Sequence, residues 1–135
     1  MLIRLTWDLP AEASHVGLCR RTVRLLLEHN HVLDRDIDEV ELILGELCAN
    51  VIRHAYGADG GRYSVEVSIE GYLMCLSVSD RGRGFDSEAL PEPSFTEDGG
   101  MGLFLMGQFA DRIEFHAADG GGSAVVATRT LRTAQ

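Results

Sequence analysis

Residues 62–80 read RYSVEVSIEGYLMCLSVSD, two alternating runs on either side of one glycine. In the first run the apolar residues occupy odd positions from 63 to 69, and in the second they occupy even positions from 74 to 78. A period of two indicates strands with one buried face, and Gly71 suits a tight turn between them. The stretch predicts an antiparallel hairpin that packs on a core through one face.

The flanking sequence predicts three more strands and three helices. The strands are expected over residues 1–7, 112–117 and 123–132. Apolar residues recur every three or four positions over about 11–29 and about 35–56, which predicts two amphipathic helices, and 101–111 is expected to form a short third helix. Pro10 is expected to end the first strand and to begin the first helix.

The order of these elements predicts the fold class. Strands come in hairpins and helices in blocks, which favours an α+β two-layer sandwich with helices packed on one face of a mixed, mostly antiparallel β-sheet. A Rossmann fold is disfavoured because strands and helices do not alternate singly. The length of 135 residues favours a single domain over 1–135.

Composition indicates the expected cellular location and the classes of partner that are disfavoured. No uninterrupted apolar run reaches the roughly 18 residues of a membrane span, and the N-terminus lacks the features of a signal peptide. Cys19, Cys48 and Cys75 are odd in number and lie among apolar neighbours, which indicates free, buried thiols. A cytoplasmic protein without a membrane partner is therefore expected. The net charge of −9 argues against a nucleic-acid partner.

The second predicted helix carries a polar stripe beside its apolar face. Glu46, Asn50, Arg53 and His54 lie on this stripe, and the first two are one turn apart. A solvated helix face is one interpretation, but Asn disfavours helix interiors, and a mid-helix Asn usually has a partner. The other interpretation is that a carboxylate and an amide oxygen face a cleft, where they could take a proton and hold a hard cation.

The second strand of the hairpin ends in Asp80, which shares its parity with the apolar residues before it. Asp80 is therefore expected at the edge of the buried face, either capping its own turn or accepting a hydrogen bond from a flat donor such as an adenine amino group. Gly82 and Gly84 follow and would let the backbone approach such a ligand.

A second glycine cluster, GGMGLFLM over 99–106, opens the third predicted helix. Glycines running into a helix start can bind phosphate through free backbone N–H groups. Neither a Walker loop nor a Rossmann fingerprint is present. The two glycine clusters bracket a loop of about fifteen residues that could close over a nucleotide.

Together these stretches resemble the ATP-binding domain of gyrase, Hsp90-type chaperones, histidine kinases and MutL, the Bergerat-type fold. ELCANVIRHAY over 46–56 resembles its N box, DRGRGF over 80–85 its first glycine box, and GGMGLFLM its second. The ending of the N box, the short loop and the compact chain are most similar to the bacterial anti-sigma-factor serine/threonine protein kinases. That resemblance implies Mg²⁺-ATP binding, phosphorylation of a serine on a STAS-type anti-anti-sigma factor, sequestration of a sigma factor, and in many relatives a homodimer.

The resemblance also assigns roles by position. Glu46 would be the general base, Asn50 the Mg²⁺ ligand and Asp80 the acceptor from adenine, with Ser123 near the base through water. The glycine-box residues would shape the base pocket and bind the phosphates, namely Gly82, Gly84, Gly100, Met101, Gly102 and Leu103.

One feature departs from the family pattern. Glu97 and Asp98 stand just before the second glycine box, where some of these kinases carry a basic residue. Either Mg²⁺ together with Arg53 or Arg83 compensates for the added negative charge, or turnover is slow. The alternatives to a kinase are a non-catalytic, nucleotide-gated regulatory binding module and the catalytic domain of a split histidine kinase.

Overall fold

The computed structural model describes residues 2–54, 61–80, 100–117 and 122–134. These residues form five strands: β1 (Leu2–Pro10), β2 (Arg62–Glu70), β3 (Leu73–Asp80), β4 (Arg112–Ala117) and β5 (Ser123–Thr130). They also form three α-helices: α1 (Val16–His29), α2 (Asp34–His54) and α3 (Gly100–Phe109). No helix within the described ranges is long and apolar enough to cross a membrane.

The strands form one sheet in the order β1-β2-β3-β5-β4. The predicted hairpin is confirmed as β2 and β3, joined at Gly71, whose φ of 63° is a conformation that glycine adopts without strain. β4 and β5 form the second predicted hairpin. All four strand pairings are antiparallel, so the described sheet contains no parallel pair. The sequence had not indicated that β3 pairs with β5.

The helices cover one face of the sheet, as predicted. Along β2 the odd-numbered residues are buried and the even-numbered residues are not. In β3 and β5 every second residue is likewise buried, the even-numbered ones in β3 and the odd-numbered ones in β5. Buried side chains of α1 and α2 join them in one apolar core, which includes Val23, Leu27, Ile43, Leu44, Leu47 and Val51. The predicted α+β sandwich is confirmed.

Pro10 ends the first strand as predicted, but the prediction that it begins the first helix was wrong. Pro10 is the last residue of β1, paired with Arg62, and a short 3₁₀ turn over Ala13–His15 precedes α1. β1 lies at the edge of the sheet, where the missing N–H of a proline interrupts no ladder. The next residue, Ala11, continues the contact by donating its N–H to the carbonyl of Gly61 (2.8 Å).

The last predicted strand is also shorter than expected. β5 ends at Thr130, and the chain beyond it turns back toward the connection between α1 and α2. Leu131 donates its N–H to the Tyr72 carbonyl (2.7 Å), and Leu33 donates its N–H to the Arg132 carbonyl (2.9 Å). This tail therefore closes the end of the core opposite to Asp80.

Two contacts set the direction of α2 across the sheet. In its first turn, Asp36 binds Arg129 near the C-terminal end of β5 (2.9 Å). In its second half, the Cys48 thiol lies beside the Tyr63 hydroxyl, and Tyr63 pairs with Asp80 across β2 and β3. The second half of α2 therefore lies over the end of the sheet that carries Asp80.

Candidate functional site

A buried carboxylate and a buried hydroxyl lie side by side at this end of the sheet. Asp80 and Ser123 are opposite one another on β3 and β5, and each is at most 4% exposed. Ser123 Oγ donates a hydrogen bond to Asp80 Oδ2 (2.7 Å). The prediction that Asp80 points toward the covered face is confirmed. The Ser123 hydroxyl therefore holds the Asp80 carboxylate in a fixed orientation at this end of the sheet.

Asn50 has a buried amide oxygen without a hydrogen-bond partner among the described residues. The residue is 2% exposed, and its Oδ1 is one of two buried side-chain atoms in that part of the chain that lack such a partner. Leaving a buried polar group unsatisfied costs about 1–3 kcal/mol. The solvated-face interpretation of Asn50 is therefore wrong. An amide oxygen is a ligand that Mg²⁺ accepts, so this atom fits the predicted metal.

Asn50 and the Asp80–Ser123 pair lie at the same end of the molecule. A helix rises about 21 Å from Asp36 to Asn50, and a strand spans roughly 20 Å from Arg129 to Ser123. Because Asp36 and Arg129 are in contact, the equal lengths bring Asn50 to the level of Ser123. The structure thus brings together two places that are 30 residues or more apart in the chain.

Glu46 lies one turn before Asn50 and is half-buried. Its side chain borders a groove of about 520 Å³ between α1 and α2. The groove is lined by Val16, Arg20, Asp38, Glu41, Leu42, Gly45 and Glu46. Glu46 is therefore reachable from outside while its helix neighbour Asn50 faces the interior, an arrangement that suits a base acting on an incoming hydroxyl group.

The second glycine box forms the first turn of α3. The helix begins at Gly100, so Gly100, Met101, Gly102 and Leu103 occupy the turn whose backbone N–H groups have no partner within the helix. α3 packs against α2. The predicted helix start is confirmed, whereas Gly82, Gly84, Arg83, Glu97 and Asp98 lie outside the described residues.

A tyrosine and two thiols lie beneath the site, and the sequence had not connected them. Cys19, Cys48 and Tyr63 are each at most 1% exposed. Burial raises the pKa of Cys48 to about 12 and also raises the pKa of Tyr63, because a charged form would lose its hydration. The free thiols are confirmed, but Cys75 is only half-buried because it lies on the other face of β3.

Comparison with known proteins places the chain in a family. Residues 9–129 match the family model described as histidine kinase-like ATPase domain. The serine-protein kinase RsbW of Bacillus licheniformis is 30% identical over 134 residues, which cover 90% of this chain and 82% of that protein. The RsbW of Halalkalibacterium halodurans is 29% identical over 121 residues, covering 82% of this chain and 74% of that protein.

Solved structures share the fold. The crystal structure of the RsbU and RsbW domains of Rv1364c from Mycobacterium tuberculosis has a TM-score of 0.72 at 21% identity and covers 98% of this chain, which spans 34% of that longer chain. The SiaB–SiaC complex of Pseudomonas aeruginosa also gives a TM-score of 0.72, at 13% identity, over 93% of this chain and 88% of that one. The chain belongs to the histidine kinase-like ATPase domain family and, within it, groups with the serine-protein kinases named RsbW.

Proposed function

We propose that this protein is a Mg²⁺-ATP-dependent protein serine kinase that phosphorylates an anti-anti-sigma factor of the STAS type and sequesters a sigma factor. The observation that carries the proposal is the buried Oδ1 of Asn50, which no described residue satisfies, one helical turn from the reachable Glu46. The names of the relatives and the structures of partner-binding proteins such as SiaB support the same class of function.

The residues at the end of the sheet would hold the nucleotide base. Asp80 would accept a hydrogen bond from the adenine amino group while Ser123 fixes the orientation of the carboxylate (2.7 Å). Gly82 and Gly84 would form the adjoining wall. A carboxylate held by a neighbouring hydroxyl keeps its direction, which suits a planar amino donor such as that of adenine.

The two helices would hold the phosphates and the metal. The N–H groups of residues 100–103 would face the phosphates, as helix starts do for anions. The Oδ1 atom of Asn50 would be the protein ligand of the cation, which gains its other ligands from phosphate and water. When bound, Mg²⁺ would neutralise phosphate charge in the transfer to serine.

Glu46 would act as the general base. Its carboxylate borders the groove beside α1, which would give the serine of a protein partner access to it. Accepting the hydroxyl proton there would activate the serine oxygen for attack on the terminal phosphate. Arg20 lines the same groove, half-exposed and paired with Glu41 (3.9 Å), and could contact the partner there.

The test uses the purified chain, γ-labelled ATP, Mg²⁺ and an anti-anti-sigma protein. We expect labelled phosphoserine on the partner, a phosphotransfer rate reduced about 100- to 10,000-fold in Glu46→Gln, and unchanged ATP affinity in that variant. In contrast, Asp80→Asn should lose both ATP binding and phosphotransfer. Undiminished transfer by Glu46→Gln would refute the base assignment.

The same assay separates the alternative functions. Nucleotide-dependent binding of the partner without any phosphoserine would support the non-catalytic regulatory module. A labelled phosphohistidine on a separate protein would support the split histidine kinase. Either result would contradict the serine kinase proposal while leaving the nucleotide site in place.

A further inference from the structure

A buried ion cluster lies at the end of α2 away from the candidate site. Asp36 is completely buried and binds two arginines. Arg129 Nη2 donates to Asp36 Oδ1 (2.9 Å), and Arg132 Nη2 donates to the same oxygen (2.6 Å). The backbone N–H of Arg132 donates to Asp36 Oδ2 (2.8 Å). The carboxylate is therefore satisfied on both oxygens.

Arg129 alone of these two arginines also reaches α3 within the described residues. Its Nη1 donates to the carbonyl of Phe109, the last residue of α3 (3.1 Å), and forms an ion pair with Glu39 of α2. The side chain is 9% exposed. A planar guanidinium can hold several acceptors in fixed directions, and a cation complements the partial negative charge of a helix C-terminus.

The contacts of Arg129 join α2 and α3 at the ends of these helices that lie away from the candidate site. The C-terminal end of α3 is held beside the first turns of α2, and the two helices pack along each other. The opposite end of α3 begins at Gly100 with the glycine box, and α2 carries Asn50 about 21 Å beyond Asp36. Arg129 therefore links the two helices at the ends that lie away from Asn50 and Gly100.

We propose that Arg129 is a positioning residue for the nucleotide phosphates. By fixing Phe109 of α3 to Asp36 and Glu39 of α2, it holds the first turn of α3 at the right distance from Asn50. The inference rests on the proposed function, because in that function a single nucleotide would contact both Asn50 of α2 and the first turn of α3. Small errors of placement at a reacting group have large effects on catalysis.

The chain contains a matched control for this role. Arg132 binds the same Asp36 oxygen as Arg129 but donates no hydrogen bond to α3 among the described residues, and its side chain is 59% exposed. Arg129→Lys keeps a positive charge for Asp36 but replaces the fork with a single ammonium group. Arg132→Lys makes the same chemical change without touching the link to α3.

The experiment measures the dissociation constants of Mg²⁺-ATP and of adenosine, which has the base but lacks phosphates. We expect Arg129→Lys to weaken Mg²⁺-ATP binding about tenfold while adenosine binding changes less than twofold, and Arg132→Lys to leave both within twofold. The KM for ATP in phosphotransfer should rise with the dissociation constant. Equal losses for ATP and adenosine would show a general structural role and overturn the proposal, as would unchanged ATP binding.

A second variant covers the case in which Arg129→Lys does not fold. The double variant Asp36→Leu/Arg129→Met removes both charges, so no unpaired charge remains buried. We expect the same selective loss of Mg²⁺-ATP affinity, and wild-type affinity for ATP in this variant would refute the inference. If the wild-type protein bound neither ATP nor adenosine, the proposed function itself would fail, which is a distinguishable result.

Discussion

Asn50 is a buried amide in the second half of a helix, and none of the described residues satisfies its oxygen. Asn30 provides the contrast, because its side-chain amide donates to the carbonyl of Leu26 (2.8 Å) at the end of α1. The first arrangement weakens the fold and the second strengthens it. Groups that weaken a fold in this way are found at functional sites, where they serve a ligand.

The two asparagines are therefore predicted to respond in opposite ways to alanine. Asn50→Ala should leave the free energy of unfolding unchanged or raise it by up to about 1 kcal/mol, because an unsatisfied group is removed and alanine favours helix. Its Mg²⁺-ATP affinity should fall at least tenfold. Urea unfolding and calorimetric titration measure the two effects.

Asn30→Ala is the control for that prediction. It should lower the free energy of unfolding by about 1 kcal/mol through the lost hydrogen bond, with no change in nucleotide affinity. A loss of stability in Asn50→Ala as large as in Asn30→Ala would mean that the Asn50 amide has a structural partner, contrary to our assignment.

At the scale of elements, the start of α2 is held to the end of β5 by charge. Burial by itself would raise the pKa of Asp36, but the hydrogen bonds of Arg132 and the charges of Arg129 and Arg132 hold it below its ordinary value. A carboxyl group whose pKa is lowered by folding stabilises the folded state at pH values above its unfolded pKa, about 3.9. That stabilisation disappears as the pH falls through the folded pKa.

This linkage predicts how Asp36→Asn depends on pH. At pH 7 the substitution should lower the free energy of unfolding by about 3 kcal/mol, because it leaves Arg129 buried with a neutral partner in place of Asp36. The difference between wild type and variant should begin to shrink below about pH 3.9, where Asp36 of the unfolded chain binds protons first, and should be lost as the pH falls through the lower folded pKa. Denaturant unfolding between pH 3 and pH 7 measures it, and a difference independent of pH would contradict the ionised state of Asp36.

At the scale of the whole molecule, the residues of the candidate site come from four elements that are far apart in the chain. β3 supplies Asp80, β5 supplies Ser123, and α2 and α3 supply Asn50 and the glycine turn. A ligand held by all four elements must be released when the protein unfolds. Its binding energy therefore adds to the stability of the entire fold.

Thermal unfolding tests this shared site. Mg²⁺-ATP at 100 times its dissociation constant should add about 2.7 kcal/mol, which corresponds to a rise of about 8 °C in Tm for a chain of this size. Asp80→Asn should show no rise at the same concentration. If saturating Mg²⁺-ATP left the Tm of the wild-type protein unchanged, the prediction that one nucleotide contacts all four elements would be wrong.

Local pattern was enough for much of this protein. The period of two in β2 and β3 predicted the hairpin and the inward direction of Asp80, because side chains alternate along any strand. The register of α2 placed Asn50 beside the apolar face of the helix, and its amide is buried there, whereas the predicted partner of that amide stays a prediction. The glycines before residue 101 predicted the start of α3. These properties depend on residues a few positions apart.

Tertiary structure alone decided which distant residues meet. The pairing of β3 with β5 brings Ser123 to Asp80, and the same strand brings Arg129 to Asp36, 93 residues away in the chain. Asp36 lies in the first turn of α2, where acids are common at the surface, yet it is fully buried. Its burial follows from the strand order, and strand order depends on contacts between distant residues that no local periodicity specifies.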